Sequence, residues 1–506
     1  MNPDVTILSQ LEAHLWESAN ILRGPVDAAD FKTYIFPVLF FKRISDAYDE
    51  EFALALEESD GDADFASFPE NHRFQIPVNC HWQDVRVKTE NVGAALQYAF
   101  REIEKANSRS LYGIFGDANW TNKERLSDDL LRTLLEHFSE LKLSNAEIDS
   151  DILGQAYEYL IKKFADQTNK KAGEFYTPRS VVRLMVEILN PRSGETIYDP
   201  ACGTGGLLLE AVNHVRRTGG SVKSLWGKLF GQEKNLTTSA IARINLFMHG
   251  IEDFEIVRGD TLRSPAFLEG DRLAAFDCVI ANPPFSLENW GEEAWINDSF
   301  GRNFAGVPPR KSGDFAWVQH MIKSLAAPAG RMAVVLPHGA LFRGGSEGAI
   351  RQNILKTDRV EAVIGLGPNL FYGTGLAACI LVIKFRKIPE RHNKILFVDG
   401  SPLFKKGRQQ NTLEAEHIRE ILDVYRNYES VEGRARVVSL EDIEGHDWNL
   451  NIPRYVESVS DVSQISVADA LANLKTSLAE AEESENKLQS LLRESGLLVF
   501  QKGSGE

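Results

Sequence analysis

The sequence predicts an α/β protein, an open and mostly parallel sheet set between an N-terminal helical domain and a C-terminal helical tail. Three observations carry that reading. From about residue 150 to 410, short apolar runs alternate with helix-like segments, the pattern of parallel strands joined by helical crossovers. A glycine-rich turn, Asp199–Gly206, stands between the strand-like Thr196-Ile197-Tyr198 and the helix-like run from Leu207 to Val212. Three more short runs end on a polar side chain: Leu229 to Glu233, Ile256 to Asp260, and Phe276 to Ala281 ahead of Asn282. In an open α/β sheet, ligands bind beyond the carboxyl ends of the strands.

Taken in order, residues from about 8 to 145 read as mostly helical. Leu8, Leu11, Leu15 and Trp16 recur at helical spacing, and Phe36, Phe40 and Phe41 make an apolar face. The acidic stretch from Glu57 to Asp64 reads as a solvated loop. Thr177-Pro178 precedes a helix-like run, Arg179 to Met185, and the order suits a threonine N-cap with proline at the first helical position. Beyond the four strands come a helix near Phe315 to Ala326, a strand Arg331 to Pro337, a helix Glu347 to Leu355 and a strand Val360 to Ile364. Ala377 to Ile383 reads as the last strand, a hairpin partner running antiparallel near an edge. The stretch Phe300 to Asp314 has no period and is punctuated by glycine and proline. Long loops in compact domains are often functional, so two readings stand for this one: a segment that borders a target base and orders on DNA, or a plain surface loop. In the tail, Val467, Leu471, Leu474, Leu478, Ala481, Leu488 and Leu492 follow alternating three- and four-residue steps, a coiled-coil-like stripe with Glu485 at one seam position. The expected division is 1–145, 146–455 and 456–506.

The strand ends carry the chemistry. Asn282-Pro283-Pro284-Phe285 places an amide at a strand's carboxyl end, fixed by two prolines and followed by an aromatic ring. That set suits methyl transfer to a planar exocyclic amine: the amide and a backbone carbonyl accept its hydrogens, and the ring stacks on the base. Taken alone, a proline pair after a strand is also a rigid turn. In the turn after Asp199, Gly203, Gly205 and Gly206 with Thr204 let the backbone approach a ligand closely. The Gly-Lys-Ser/Thr ending of a phosphate-cradling loop is missing, which argues against ATP hydrolysis. Glu233 suits two ribose hydroxyls and Asp260 an adenine amine, although either acid alone is also an ordinary cap or turn residue. With no lysine or arginine for a pyrophosphate beside them, the set favours a nucleoside without phosphates, S-adenosylmethionine. Free N–H groups at the helix start after Thr177 suit its carboxylate, and Tyr176 is expected on the cofactor or base side.

Lys and Arg total 56 against 72 Asp and Glu, a formal charge of -16. That balance is poor for a chain that grips DNA alone, so a partner or a local basic surface is expected. The four cysteines, Cys80, Cys202, Cys278 and Cys379, have no zinc-like or redox spacing, so neither a metal site nor a disulfide is expected. The start of the chain lacks a signal core, and no apolar run approaches a membrane span, so a cytoplasmic protein is expected.

Gly173 to Pro178, Asp199 to Gly206, Gln232-Glu233, Gly259-Asp260 and Asn282 to Phe285 resemble the motifs of amino-group DNA methyltransferases. Their order resembles the gamma class. Ile152 to Leu160, Lys171 to Pro178, and Leu22 to Gly24 through Phe40 to Ile44 are similar to the modification (M) subunit of type I restriction-modification systems. The resemblance covers the chain to about residue 455. It implies a Rossmann-like S-adenosylmethionine-dependent methyltransferase sheet and methylation of adenine N6 in DNA. It also implies a specificity (S) subunit that reads the sequence, a second copy of this chain, and restriction (R) subunits in the full complex. The N-terminal helices would then help contact DNA and neighbouring subunits, and the tail would pack on the S subunit. Competing readings are a self-sufficient adenine methyltransferase, methylation of RNA or of a protein glutamine, transfer to cytosine N4, and a non-catalytic scaffold of a nuclease complex.

Overall fold

The computed structural model describes residues 3–168, 177–371, 375–408, 410–457 and 467–495. They form two compact units, Met1–Val456 and Glu457–Glu506. Helices and strands are numbered here over the longer elements.

In the first unit the chain begins with α1 (Pro3–Leu22), α2 (Phe31–Glu58), α3 (Val92–Ala106), α4 (Asp128–Ser139) and α5 (Ser150–Thr168). The phenylalanine face read from the sequence is real: Phe36, Phe40 and Phe41 of α2 are each at most 1% exposed. They share one core with Leu15 and Leu134, and also with Ile241, Ile244 and Phe247 of α8 (Leu236–Met248), a helix of the sheet. The helical layer is therefore fused to the sheet layer through apolar packing. A close approach helps seal the join. At Gly154 of α5, a Cβ would lie 2.3 Å from the His249 ring at the end of α8, so only glycine lets the two helices meet there.

The sheet contains β1 (Ile197–Asp199), β2 (Leu229–Glu233), β3 (Glu255–Arg258), β4 (Cys278–Ala281) and β5 (Arg331–Pro337). β6 (Val360–Leu366), β7 (Ala378–Lys384), β8 (Lys394–Gly400) and β9 (Ala435–Ser439) complete it. Their spatial order is β9-β8-β6-β7-β5-β4-β1-β2-β3. β1 to β5 pair in parallel, as do β6 and β8. β7 runs antiparallel to both neighbours, and β9 antiparallel to β8. Alternation divides the sheet's side chains between two cores: Cys278 and Ile280 face one, Val279 and Ala281 the other. α6 (Arg179–Leu189), α7 (Gly206–Arg217) and α11 (Ala415–Asn427) cover the first face. α9 (Asp314–Lys323) and α10 (Gly345–Leu355) cover the second.

Two expectations are corrected. Ala377 to Ile383 is not the last strand and not near an edge. It is β7, enclosed between β5 and β6, and β8, α11 and β9 follow it. Its all-apolar sequence fits a strand buried on both faces. Pro178 is the N-cap of α6 rather than its first residue: its backbone is extended, with ψ at 133°.

The second unit holds α12 (Val467–Glu494). Leu471, Leu474, Leu478, Leu488 and Leu491 on it are each more than half exposed. Among the described residues, no helix is long and apolar enough to cross a membrane.

Candidate active site

β1 lies between β2 and β4, so the strand order reverses there, and the crevice above such a reversal is where open α/β sheets bind ligands. Parallel register brings the strand ends level: Asp199 of β1 pairs with Gly231 of β2, and Glu233 with Arg258 of β3. A cavity of about 620 Å³ opens there. Asp199, Gly203, Thr204, Gly206, Glu233, Asp260, Asn282, Pro284 and Thr177 all line it. Gly205, Pro283 and Phe285 do not. Gly205 is the left-handed residue that starts α7, with φ +80°. Pro283 is buried, and Phe285 packs edge-on against Phe371, 5.8 Å between centroids. Tyr176 lies outside the described residues.

The glycine turn is held from three sides. Cys202 N–H donates to the Gln232 carbonyl at 3.1 Å, Gly203 N–H to Glu233 Oε2 at 3.1 Å, and Asn245 Nδ2 to the Thr204 carbonyl at 3.0 Å. Gln232 is structural: its amide exchanges hydrogen bonds with the Ser264 carbonyl and Ala266 N–H after β3. Glu233 also caps the next turn, accepting from Asn235 N–H at 2.8 Å. Asp260 does likewise for Arg263 N–H and pairs with Lys234 Nζ at 2.9 Å, so a lysine does stand beside the two acids, contrary to the sequence reading, and it is engaged by Asp260. Both acids therefore serve as turn residues and as cavity wall together.

Asp199 is the most perturbed acid of the site. It is 1% exposed; Oδ1 accepts from Ala201 N–H at 3.0 Å, and Oδ2 is buried without a partner. Burial pushes its carboxyl up to about 8, and the nearby Glu233 adds to the rise. A cationic group in the cavity would offset that penalty.

Asn282 stands just past β4. Its Nδ2 donates to Thr177 Oγ1 at 2.8 Å, and its Oδ1 is buried with no hydrogen-bond partner. A buried acceptor left unpaired costs on the order of 1–3 kcal/mol, which calls for a reason such as an incoming donor.

The expected loop from Phe300 to Asp314 is a packed segment in the structure, so ordering on DNA is not needed to explain it. Arg302 is 3% exposed and bonded to Asp298 and the Thr261 carbonyl. Trp290 Nε1 donates to the Pro309 carbonyl at 3.0 Å, and Gly313 N–H to the Leu287 carbonyl at 3.0 Å. Sequence reasoning missed the cavity's outer wall: Phe36 of α2, Gln155 and Glu158 of α5, Arg179 of α6 and Trp317 of α9. Phe36 read as core, and Gln155 and Glu158 fell inside Ile152 to Leu160, a stretch read only for its resemblance to the M subunit and given no role in the site. Helix faces reach the cavity through tertiary packing, which no local motif announces.

Comparison with known proteins shows the family and the fold. The model of the N-6 DNA methylase family matches residues 148–463, and that of the HsdM N-terminal domain matches residues 11–138. The type I restriction enzyme MjaVII methylase subunit of Methanocaldococcus jannaschii is 34% identical, over 94% of this chain and 81% of its own. The HindI methylase subunit of Haemophilus influenzae is 30% identical, over 80% of this chain and 95% of its own. Among solved structures, the type I restriction-modification methyltransferase subunit from Streptococcus thermophilus superposes with a TM-score of 0.75 at 31% identity. It covers 89% of this chain and 100% of that one.

Proposed function

The chain belongs to the N-6 DNA methylase family, among the methylase subunits of type I restriction enzymes, and we propose how its residues carry that activity. It is an adenine-specific DNA methyltransferase, the modification subunit of a type I restriction-modification system. The observation that carries the site reading is Asn282: an amide at the end of β4 whose oxygen is buried without a partner, on the wall that also holds Asp199, Glu233 and Asp260.

S-adenosylmethionine supplies an electrophilic methyl group when bound. The cavity fits it chemically: Asp199 offers an orphaned buried carboxylate oxygen to a cation, and Gly203, at φ +52° with open space where a Cβ would stand, lets the loop approach. Thr204, Gly205 and Gly206 complete that loop. Glu233 would hold the ribose hydroxyls, Asp260 the adenine amine, and the helix start after Thr177 the carboxylate, with Tyr176 on the cofactor or base side.

The exocyclic amine of adenine is a weak nucleophile because its lone pair is delocalised into the ring. Asn282 Oδ1 and the Pro283 carbonyl accept its two hydrogens, which turns the lone pair toward the methyl. Thr177 Oγ1 accepts from Asn282 Nδ2, which leaves the amide oxygen for the amine. Pro284 restricts the backbone and Phe285 stacks on a base rotated out of the duplex. Positioning is the protein's main contribution, and no base is needed before attack.

Residues 1–145 form the helical domain, 146–455 the methyltransferase domain and 456–506 the assembly tail. Partners are DNA, an S subunit that selects the site, a second copy of this chain and, in the full complex, R subunits. The exposed leucines of α12 fit docking on a helix of the S subunit. Methylation of this kind protects host DNA from restriction. The test is labelled methyl transfer to DNA by the chain alone and with its S subunit, followed by nucleoside analysis. N6-methyladenine from the pair alone is expected; methylation of cytosine N4, or specific methylation by the lone chain, would overturn the reading.

A further inference from the structure

The residue after the tetrapeptide, Ser286, has a left-handed backbone with φ +49°. That conformation is costly for a residue other than glycine and persists where surrounding contacts over-determine it. The contact here is a buried carboxylate. Ser286 N–H donates to Asp314 Oδ1 at 2.7 Å, and Asp314 is 2% exposed at the first turn of α9. Its other oxygen faces the Arg343 guanidinium and lies 3.2 Å from the Ser312 hydroxyl. Arg343 in turn pairs through Nε with Glu347 Oε2 at 3.0 Å and reaches Ser286 Oγ at 3.4 Å. One ion cluster from α9, α10 and the link ahead of α10 thus grips the single peptide that ends Asn282–Phe285. Neither Asp314 nor Arg343 lines the cavity.

We propose that Asp314 is a positioning residue for methyl transfer, fixing the turn at Ser286 so that Asn282 and Phe285 keep their places, with Arg343 as its counter-ion. The inference rests on the reading of Asn282–Phe285 given above. A backbone N–H held by a charged acceptor makes a short, strong bond, and the half-buried Arg343 guanidinium on the other oxygen keeps that acceptor aimed. Loss of the bond frees the strained turn to relax. A displacement of about 1 Å at the tetrapeptide is enough to cost on the order of 100-fold in rate.

The test uses the chain co-purified with its S subunit, comparing wild type with Asp314→Ala, Asp314→Asn, Arg343→Lys and Arg343→Gln. Three quantities are read: kcat for methyl transfer, the Kd for S-adenosylmethionine, and fluorescence of a 2-aminopurine at the target position as a report of base rotation. Asp314→Ala should lower kcat about 100-fold with the cofactor Kd within about twofold of wild type. The 2-aminopurine signal should fall with kcat. Asp314→Asn, which keeps an oxygen for Ser286 N–H, should recover part of the loss, and Arg343→Lys should exceed Arg343→Gln. A wild-type kcat in Asp314→Ala overturns the inference. So does a loss of kcat, cofactor binding and thermal stability in common proportion, which marks a purely structural role. If Asp314→Ala does not fold, equal and undiminished kcat in the two Arg343 variants overturns it instead. The reading beneath it fails separately, by retained turnover in Asn282→Ala.

Discussion

Asp199→Asn should make the ligand-free chain less sensitive to pH and, in alkaline solution, more stable. Asp199 is fully enclosed, its Oδ2 has no partner, and its carboxyl is pushed up to about 8 from an ordinary 3.8. The folded chain therefore keeps a proton that the unfolded chain has released. The stability tied to that proton is complete below about pH 4 and is lost as pH rises toward 8. At roughly 1.4 kcal/mol per pH unit, the loss across the window is on the order of 5 kcal/mol. Asparagine has the same shape and no proton to lose. Urea unfolding of the two proteins should nearly coincide around pH 4 and separate by several kcal/mol around pH 9, with the variant more stable. Cofactor binding should show the reverse cost. The cation brings the countercharge that the buried carboxylate lacks, so binding to the wild type near neutral pH should release a proton, detectable by calorimetry in buffers of different ionisation enthalpy. The variant should bind about 10- to 100-fold more weakly, the worth of one charged hydrogen bond, and release no proton from this site. Parallel pH–stability curves, with equal cofactor affinity, would refute the reasoning.

Gly231→Ala should destabilise the chain by about 1–3 kcal/mol and weaken cofactor binding in calorimetry, through overpacking. The new Cβ would stand 2.5 Å from Ile256 Cδ1 and 3.0 Å from Cys202 Sγ, so relief pushes on the glycine turn. Leu474→Glu with Leu478→Glu should abolish co-purification with the S subunit while leaving cofactor affinity unchanged, since both side chains are more than half exposed. Undiminished assembly of that double variant would remove the docking role from α12.

Much of the site was legible because it is local. Strand, glycine turn and helix are contiguous from Ile197 to Val212, and each acid or amide sits at or just past its strand's end: Asp199 and Glu233 close β1 and β2, Asp260 lies two residues past β3, and Asn282 follows β4. A parallel sheet then does the gathering, since level strand ends bring Asp199, Glu233, Asp260 and Asn282 to one cavity. What could not be read depends on long-range packing. Ala378–Lys384 has the composition of any buried strand, and nothing local says that it inserts between β5 and β6. Asp314 reads as the end of a loop, but its partners Ser286 and Arg343 are 28 and 29 residues away. The glycines and prolines of Phe300 to Asp314 signal irregular backbone. They do not signal mobility, and buried Arg302 with its ion pair to Asp298 holds that backbone in place.

The most direct test of the account is methyl transfer from labelled S-adenosylmethionine to DNA by the chain with its S subunit, wild type against Asn282→Ala. The account predicts N6-methyladenine from the wild type and none from the variant, with both binding the cofactor equally. Turnover retained in Asn282→Ala would contradict it.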